Sequence, residues 1–192
     1  MHDTKPHSDD APPSTWKKGD ALAESGIPDG KGGSIVARAV TINRPVGEVF
    51  AYFRDFANLP TFMENLERID ILDDTRSHWV VKAPAGKTVE WDAVVTEETS
   101  DRLIAWASEP GADVANSGRV EFRDAGARGT VVTATITYDP PAGIVGKLIA
   151  KMFQREPAIQ ARRDLRRFKQ LMETGEIATA AMNRKQREEE MA

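Results

Sequence analysis

Between Glu67 and Tyr138 the chain reads as one strand after another, each with an apolar and a polar face. Three of the four tryptophans, Trp79, Trp91 and Trp106, fall on the apolar faces. Alternation with a period of two describes a half-buried antiparallel sheet. Such a sheet must cover its apolar face, and the large amphipathic region available for this lies after Pro141. A curved sheet closed over one helix leaves space between the two, which makes ligand binding the leading expectation.

The strand faces follow from parity. Val89, Trp91, Ala93 and Val95 share one side of a strand predicted over 88–97, while Glu90, Asp92 and Thr96 share the other. The same rule points Trp79 and Val81, Ile104 and Trp106, Val120 and Phe122, and Val132, Ala134, Ile136 and Tyr138 inward. The remaining strands are expected over 66–73, 77–83, 102–108, 117–124 and 129–138, with turn residues such as Asp73-Asp74, Pro84-Ala85-Gly86 and Ser100-Asp101 between them. Short links between sequential strands imply a meander, in which inward residues such as Ala93 and Trp106 are expected opposite one another.

Upstream, residues 1–33 are rich in Pro, Gly, Ser, Asp and Lys with few apolar anchors, the composition of a flexible leader. Order is expected from about Ile35, where IVARAVTIN suits a strand. Pro45 then fits the first turn of a helix carrying Val46, Val49, Phe50 and Phe53, and a second short turn is expected around Leu59 to Met63. After Pro141, GIVGKLIAKMF (143–153) is apolar around much of its circumference, and a narrower stripe of Ala161, Leu165, Phe168 and Met172 follows Pro157, where a kink is expected. Gly175 is a stop signal, and residues 177–192 form a polar tail. The expected organisation is one ligand-binding domain over 34–176.

With 192 residues and a net charge of −4, the chain suits a single core and lacks the broad positive footprint of a nucleic-acid binder. Cysteine is absent, which excludes disulfides and thiolate chemistry. No secretory signal and no run of roughly 20 apolar residues appears. The expectation is a soluble, cytoplasmic protein.

The order of elements resembles the helix-grip fold of the START-like (SRPBCC) superfamily. The local matches are VTINRPVGEVFAYFRDFANLPTFM (40–63), HWVVKAPAGKTVEWDA (78–93), LIAWAS (103–108), SGRVEF (117–122) and DLRRFKQLMETGE (164–176). They are similar to the bacterial polyketide cyclase/dehydrase branch, related to coenzyme Q-binding START proteins. The resemblance covers roughly 35–176. It implies an α+β helix-grip fold: a seven-stranded curved antiparallel sheet around a long C-terminal helix, with two short helices after the first strand. It names no catalytic motif.

Candidate chemistry is sparse. His2 and His7 lie in the leader and His78 on a strand, with no ligand spacing for a metal, so neither metal nor other cofactor is expected. Glu90 and Asp92 share a face and so resemble an acid and base pair, but they lie opposite Trp91 and belong to the solvated side. Tyr138 and Ser108 are the inward hydroxyls, weak candidates for proton transfer or for holding an oxygenated ligand; Tyr138 equally suits a core cap with its hydroxyl in water. The ligand-lining set is Trp79, Trp91, Trp106, Phe122, Ala134, Tyr138 and Met152. Arg162, Arg163, Arg166 and Arg167 make the outer face of the last helix positive, either as a solvated face paired with Asp164 and Glu173 or as a transient contact with anionic membrane headgroups. The expected function is enclosure of a hydrophobic or aromatic small molecule, a lipid, quinone or polyketide-like compound, by a carrier or sensor. The alternatives are a cyclase or dehydratase using the same space, and an interaction module whose cavity has collapsed.

Overall fold

Alternating strand residues and two short amphipathic helices give the order β1 (Ser34–Ile42), α1 (Val46–Arg54), a 3-10 helix (Phe56–Thr61), β2 (Leu66–Ile71), β3 (Arg76–Ala83), β4 (Lys87–Thr99), β5 (Leu103–Ser108), β6 (Ala115–Asp124), β7 (Thr130–Asp139) and α2 (Pro157–Thr174). The computed structural model describes residues 34–83, 86–112, 114–139 and 157–177. The expected leader, the polar tail beyond 177 and the apolar segment 143–153 lie outside the described residues. So does the approach to the expected kink at Pro157, which opens α2, where its missing N–H leaves no intrahelical bond unmade.

The strands form one antiparallel sheet in the order β1-β7-β6-β5-β4-β3-β2. The meander from β2 to β7 follows from its short turns, and β1 closes on β7 along its whole length, from Ser34 opposite Tyr138 to Ile42 opposite Thr130. β1 and β2 therefore occupy opposite edges, and α1 with the 3-10 helix carries the chain between them. Asp55 stops α1 and starts the next turn, since its carboxylate accepts the Ala57 N–H at 3.2 Å. Register shifts at Leu66/Arg68 in β2 and at Val95/Glu97 in β4 bend the sheet.

The β4 shift corrects one expectation. Ala93 lies opposite Ser108, and Trp106 lies opposite Val95. The tight turn at Asp101, whose φ is 59°, fixes Thr99 against Leu103, and the extra residue at Thr96 then moves the pairing by one. Beyond the bulge Glu98 reaches the α1 side, where Arg54 holds it at 2.7 Å.

Among the described residues the core is the inner sheet face plus the apolar sides of α1, the 3-10 helix and α2. Val49, Phe50 and Phe53 of α1, Phe56 and Leu59 of the 3-10 helix, and Leu165 and Phe168 of α2 are buried against Trp79, Trp91, Trp106, Val120, Phe122 and Val132. The stripe read from the sequence thus faces inward. Phe168 stacks on Phe62 with ring centroids 4.5 Å apart. Burial of one such ring contributes roughly 2–3 kcal/mol. On the other sheet face Val80 is also buried, flanked in register by Arg68 and Glu90.

Candidate functional site

The inner-face tryptophans of β3, β4 and β5 form one row. Trp79 is directly opposite Trp91, with ring centroids 6.3 Å apart and planes 18° apart. Its other neighbour is Trp106, at 5.7 Å and 21°. Phe56 meets Trp79 and Trp106 edge-on, and Phe53 packs at 6.4 Å from Trp106. The row therefore has a helix-covered end at Trp106 and a second end at Trp91, whose one described ring partner is Trp79.

Close approach of backbone makes room for this row. Trp106 faces Gly118 across β5 and β6, and its indole sits where a Cβ at 118 would project. The signal was available in SGRVEF, because an isolated glycine inside a strand marks such an approach. Ser77, two residues before Trp79 on the same face, is buried and accepts the Trp79 Nε1–H at 2.8 Å. Strand parity identifies that pairing too, although the sequence reading passed over Ser77.

The other expected lining residues separate. Phe122 is buried and meets Phe50 edge-on at 5.3 Å and Phe53 at 5.8 Å, so described contacts with α1 occupy it. Ala134 is buried beside Val120 in register. Ser108 is half-buried and its Oγ accepts the Asn116 N–H at 3.0 Å, tying the end of β5 to the start of β6. The Tyr138 side chain and Met152 lie outside the described residues.

Titratable groups lie elsewhere. Glu90 and Asp92 are on the outer face, as parity implies, and both reach His78: Asp92 Oδ1 lies 2.7 Å from Nδ1 and Glu90 Oε2 3.4 Å from Nε2. The Asp92 hydrogen bond, helped by Glu90 and working against partial burial, holds the His78 imidazole above its usual range. Among the described residues no group of three or more histidine and carboxylate side chains is arranged to hold a metal ion.

The terminal helix differs from its expected surface. Asp164 is not a solvated partner of the arginines: it is buried, and its Oδ1 accepts the Gln160 Nε2–H at 2.9 Å and the Glu64 N–H at 3.4 Å. Desolvation raises its pKa to about 6, against the lowering effect of those hydrogen bonds and of Arg167. Its position three residues from Ala161 and four from Phe168 places it on the apolar face, which explains the burial. Arg167 instead pairs with Glu64 at 3.4 Å, Glu173 pairs with Lys169 at 2.9 Å, and Arg162, Arg163 and Arg166 are exposed.

An antiparallel sheet of seven strands gripping a C-terminal helix, with short helices after the first strand, is the helix-grip fold of START-like proteins. The family model described as "Polyketide cyclase / dehydrase and lipid transport" matches residues 35–173, and the chain belongs to that family. A 17.2 kDa uncharacterized protein of Streptomyces lincolnensis is 30% identical over 141 residues, which cover 73% of this chain and 90% of that one. A crystal structure from Deinococcus radiodurans is 43% identical with a TM-score of 0.62, over 74% of this chain and 99% of that one. The Zhui aromatase/cyclase of a Streptomyces species is 16% identical with a TM-score of 0.59, over 76% of this chain and 99% of that one, and it shares the fold. The family fold is one that binds hydrophobic ligands. Among the described residues no helix is long and apolar enough to cross a membrane.

Proposed function

We propose that the protein binds a flat hydrophobic or aromatic small molecule between the inner sheet face and the terminal helix region, as a carrier or sensor. The observation that carries this reading is the Trp106–Trp79–Trp91 row, which sets three stacked, nearly parallel indoles on an inner face and ends on Trp91. Stacked indoles favour a planar partner of similar polarisability. A quinone or a polyketide-like ring system meets that description, in keeping with the family's description. Cyclisation chemistry calls for paired acid and base groups within reach of the substrate. Asp164 is the buried charged side chain among the described residues, and its Oδ1 accepts from the Glu64 N–H and the Gln160 amide, which are structural contacts. Binding without turnover is therefore the reading preferred. Exposed Arg162, Arg163 and Arg166, with Arg167 beside them, give the same proposal a route for loading from anionic headgroups.

The test is purification of the full chain from its native cells, organic extraction and mass spectrometry of what is released. A stoichiometric aromatic or lipid-like compound supports the reading. Empty protein whose tryptophan emission responds to no quinone or polycyclic compound in a saturable way removes it.

A further inference from the structure

Trp79 and Trp91 are cross-strand partners on one face, yet among the described residues only Trp79 has a hydrogen-bond acceptor. The Trp79 Nε1–H is taken by Ser77 Oγ at 2.8 Å. The Trp91 Nε1–H is buried with no partner among the described residues, in a residue that is 9% exposed. Indole nitrogen is a donor only, and buried indole N–H groups ordinarily find an acceptor. Leaving one unmade costs about 1–3 kcal/mol, so it calls for an explanation.

The other unpartnered atoms explain themselves differently. Arg119 and Arg167 each pair through a terminal nitrogen, with Glu97 and Glu64, Arg119 Nε also lies 3.5 Å from Glu121 Oε1, and Thr137 follows the outward parity of β7. Trp91 is the case on the inner face. Its neighbours along the strand on that face, Val89 and Ala93, are apolar and buried.

We infer that Trp91 Nε1 is a ligand-positioning donor: it gives its hydrogen bond to a carbonyl or quinone oxygen on an aromatic ligand stacked at the Trp91 end of the row. This rests on the binding function proposed above and narrows the ligand class, because a hydrocarbon of the same shape leaves the donor unsatisfied. Sites built to hydrogen-bond a ligand discriminate strongly against analogues that lack the matching group.

The experiment titrates the full chain with menadione and with methylnaphthalene, probes of similar shape with and without carbonyl oxygens. The indole N–H proton of Trp91, assigned by side-chain connectivity in nuclear magnetic resonance, is expected to move downfield with menadione and to show no such shift with methylnaphthalene. Trp91→Phe keeps a ring and removes the donor. It should weaken menadione about tenfold, the effect of one hydrogen bond, and change methylnaphthalene by less than about twofold. Trp79→Phe, whose N–H is already committed to Ser77, should not separate the two probes. Equal losses for both probes in Trp91→Phe, or an unmoved Trp91 N–H in the saturated wild-type protein, overturn the hydrogen bond while leaving the binding function standing. Should neither probe bind the wild-type chain, both the donor role and the binding function proposed above fall. If Trp91→Phe does not fold, the wild-type proton shift decides alone.

Discussion

Gly118 and Trp106 face each other across β6 and β5, and the indole of one occupies the volume that a side chain on the other would need. The tryptophan row thus depends on a residue with no side chain. Gly118→Ala is expected to push Trp106 out of line with Trp79 and to destabilise the fold by roughly 1–3 kcal/mol, the usual range for overpacking. Urea unfolding followed by tryptophan emission measures the loss. An unchanged midpoint would show that the Trp106 ring can step aside freely.

A second relationship fastens the terminal helix to the opposite end of the sheet. Arg44 Nε donates to the Met172 carbonyl at 2.8 Å and its terminal nitrogen to the Glu173 carbonyl at 3.2 Å, satisfying acceptors at the end of α2. Glu173 Oε1 in turn accepts the Asn43 N–H at 2.6 Å, and Lys169 Nζ reaches the Thr41 carbonyl. Gly129 permits the approach of the neighbouring loop, since a Cβ there would meet the Ile42 carbonyl. Arg44→Ala should cost about 1–2 kcal/mol, in line with lost charged hydrogen bonds, and amide exchange should accelerate in the last turn of α2 before it does in the sheet. Uniform acceleration throughout the chain would argue against a local clamp.

The fold was legible because period-two alternation, turn residues and a proline-led helix all agree with one another. Strand ends fell within two residues, as at Leu103–Ser108 against an expected 102–108. Register was not legible, because one bulged residue at Thr96 is invisible to parity counted within a single strand. Trp79, Trp91 and Trp106 were identified as inward residues, but parity says nothing of who stacks on whom. Asp164 was misplaced for a different reason: its charge was read as a surface signal, although its helical spacing from Ala161 and Phe168 puts it inside. A buried carboxylate is the exception that composition-based reasoning passes over.

Asp164 should make the protein less stable as pH rises. Burial lifts its folded pKa from 3.8 to about 6, so folding favours the protonated form. The resulting stability is fully present below about pH 4 and is lost as pH climbs through about 6, to a total on the order of 3 kcal/mol at most. His78 adds in the same direction at higher pH, since its folded pKa is also raised and the stability it lends is lost as it deprotonates. Asp164→Asn keeps an acceptor for Gln160 and Glu64 and removes the titration. It should be markedly more stable than the wild type at pH 8 and close to it at pH 4, by denaturant midpoint. A constant difference across that range would show that Asp164 stays ionised in the folded protein.

Ala134 offers a test of whether the inner face serves a ligand or only a core. It is a small residue on β7, opposite Val120 and two residues from the fully buried Val132. Its strand belongs to the face that carries the tryptophan row, so a larger side chain there projects into the space proposed for the ligand. Ala134→Phe is expected to fold, because ligand space can take a ring, and to weaken menadione binding about tenfold or more, judged by saturable quenching of tryptophan emission. In an interior already filled, the same ring forces its neighbours from their rotamers and costs roughly 1–3 kcal/mol. A variant that binds as tightly as the wild type places the ligand away from β7. A variant that loses stability, in a protein that never bound menadione, identifies the inner face as packed core.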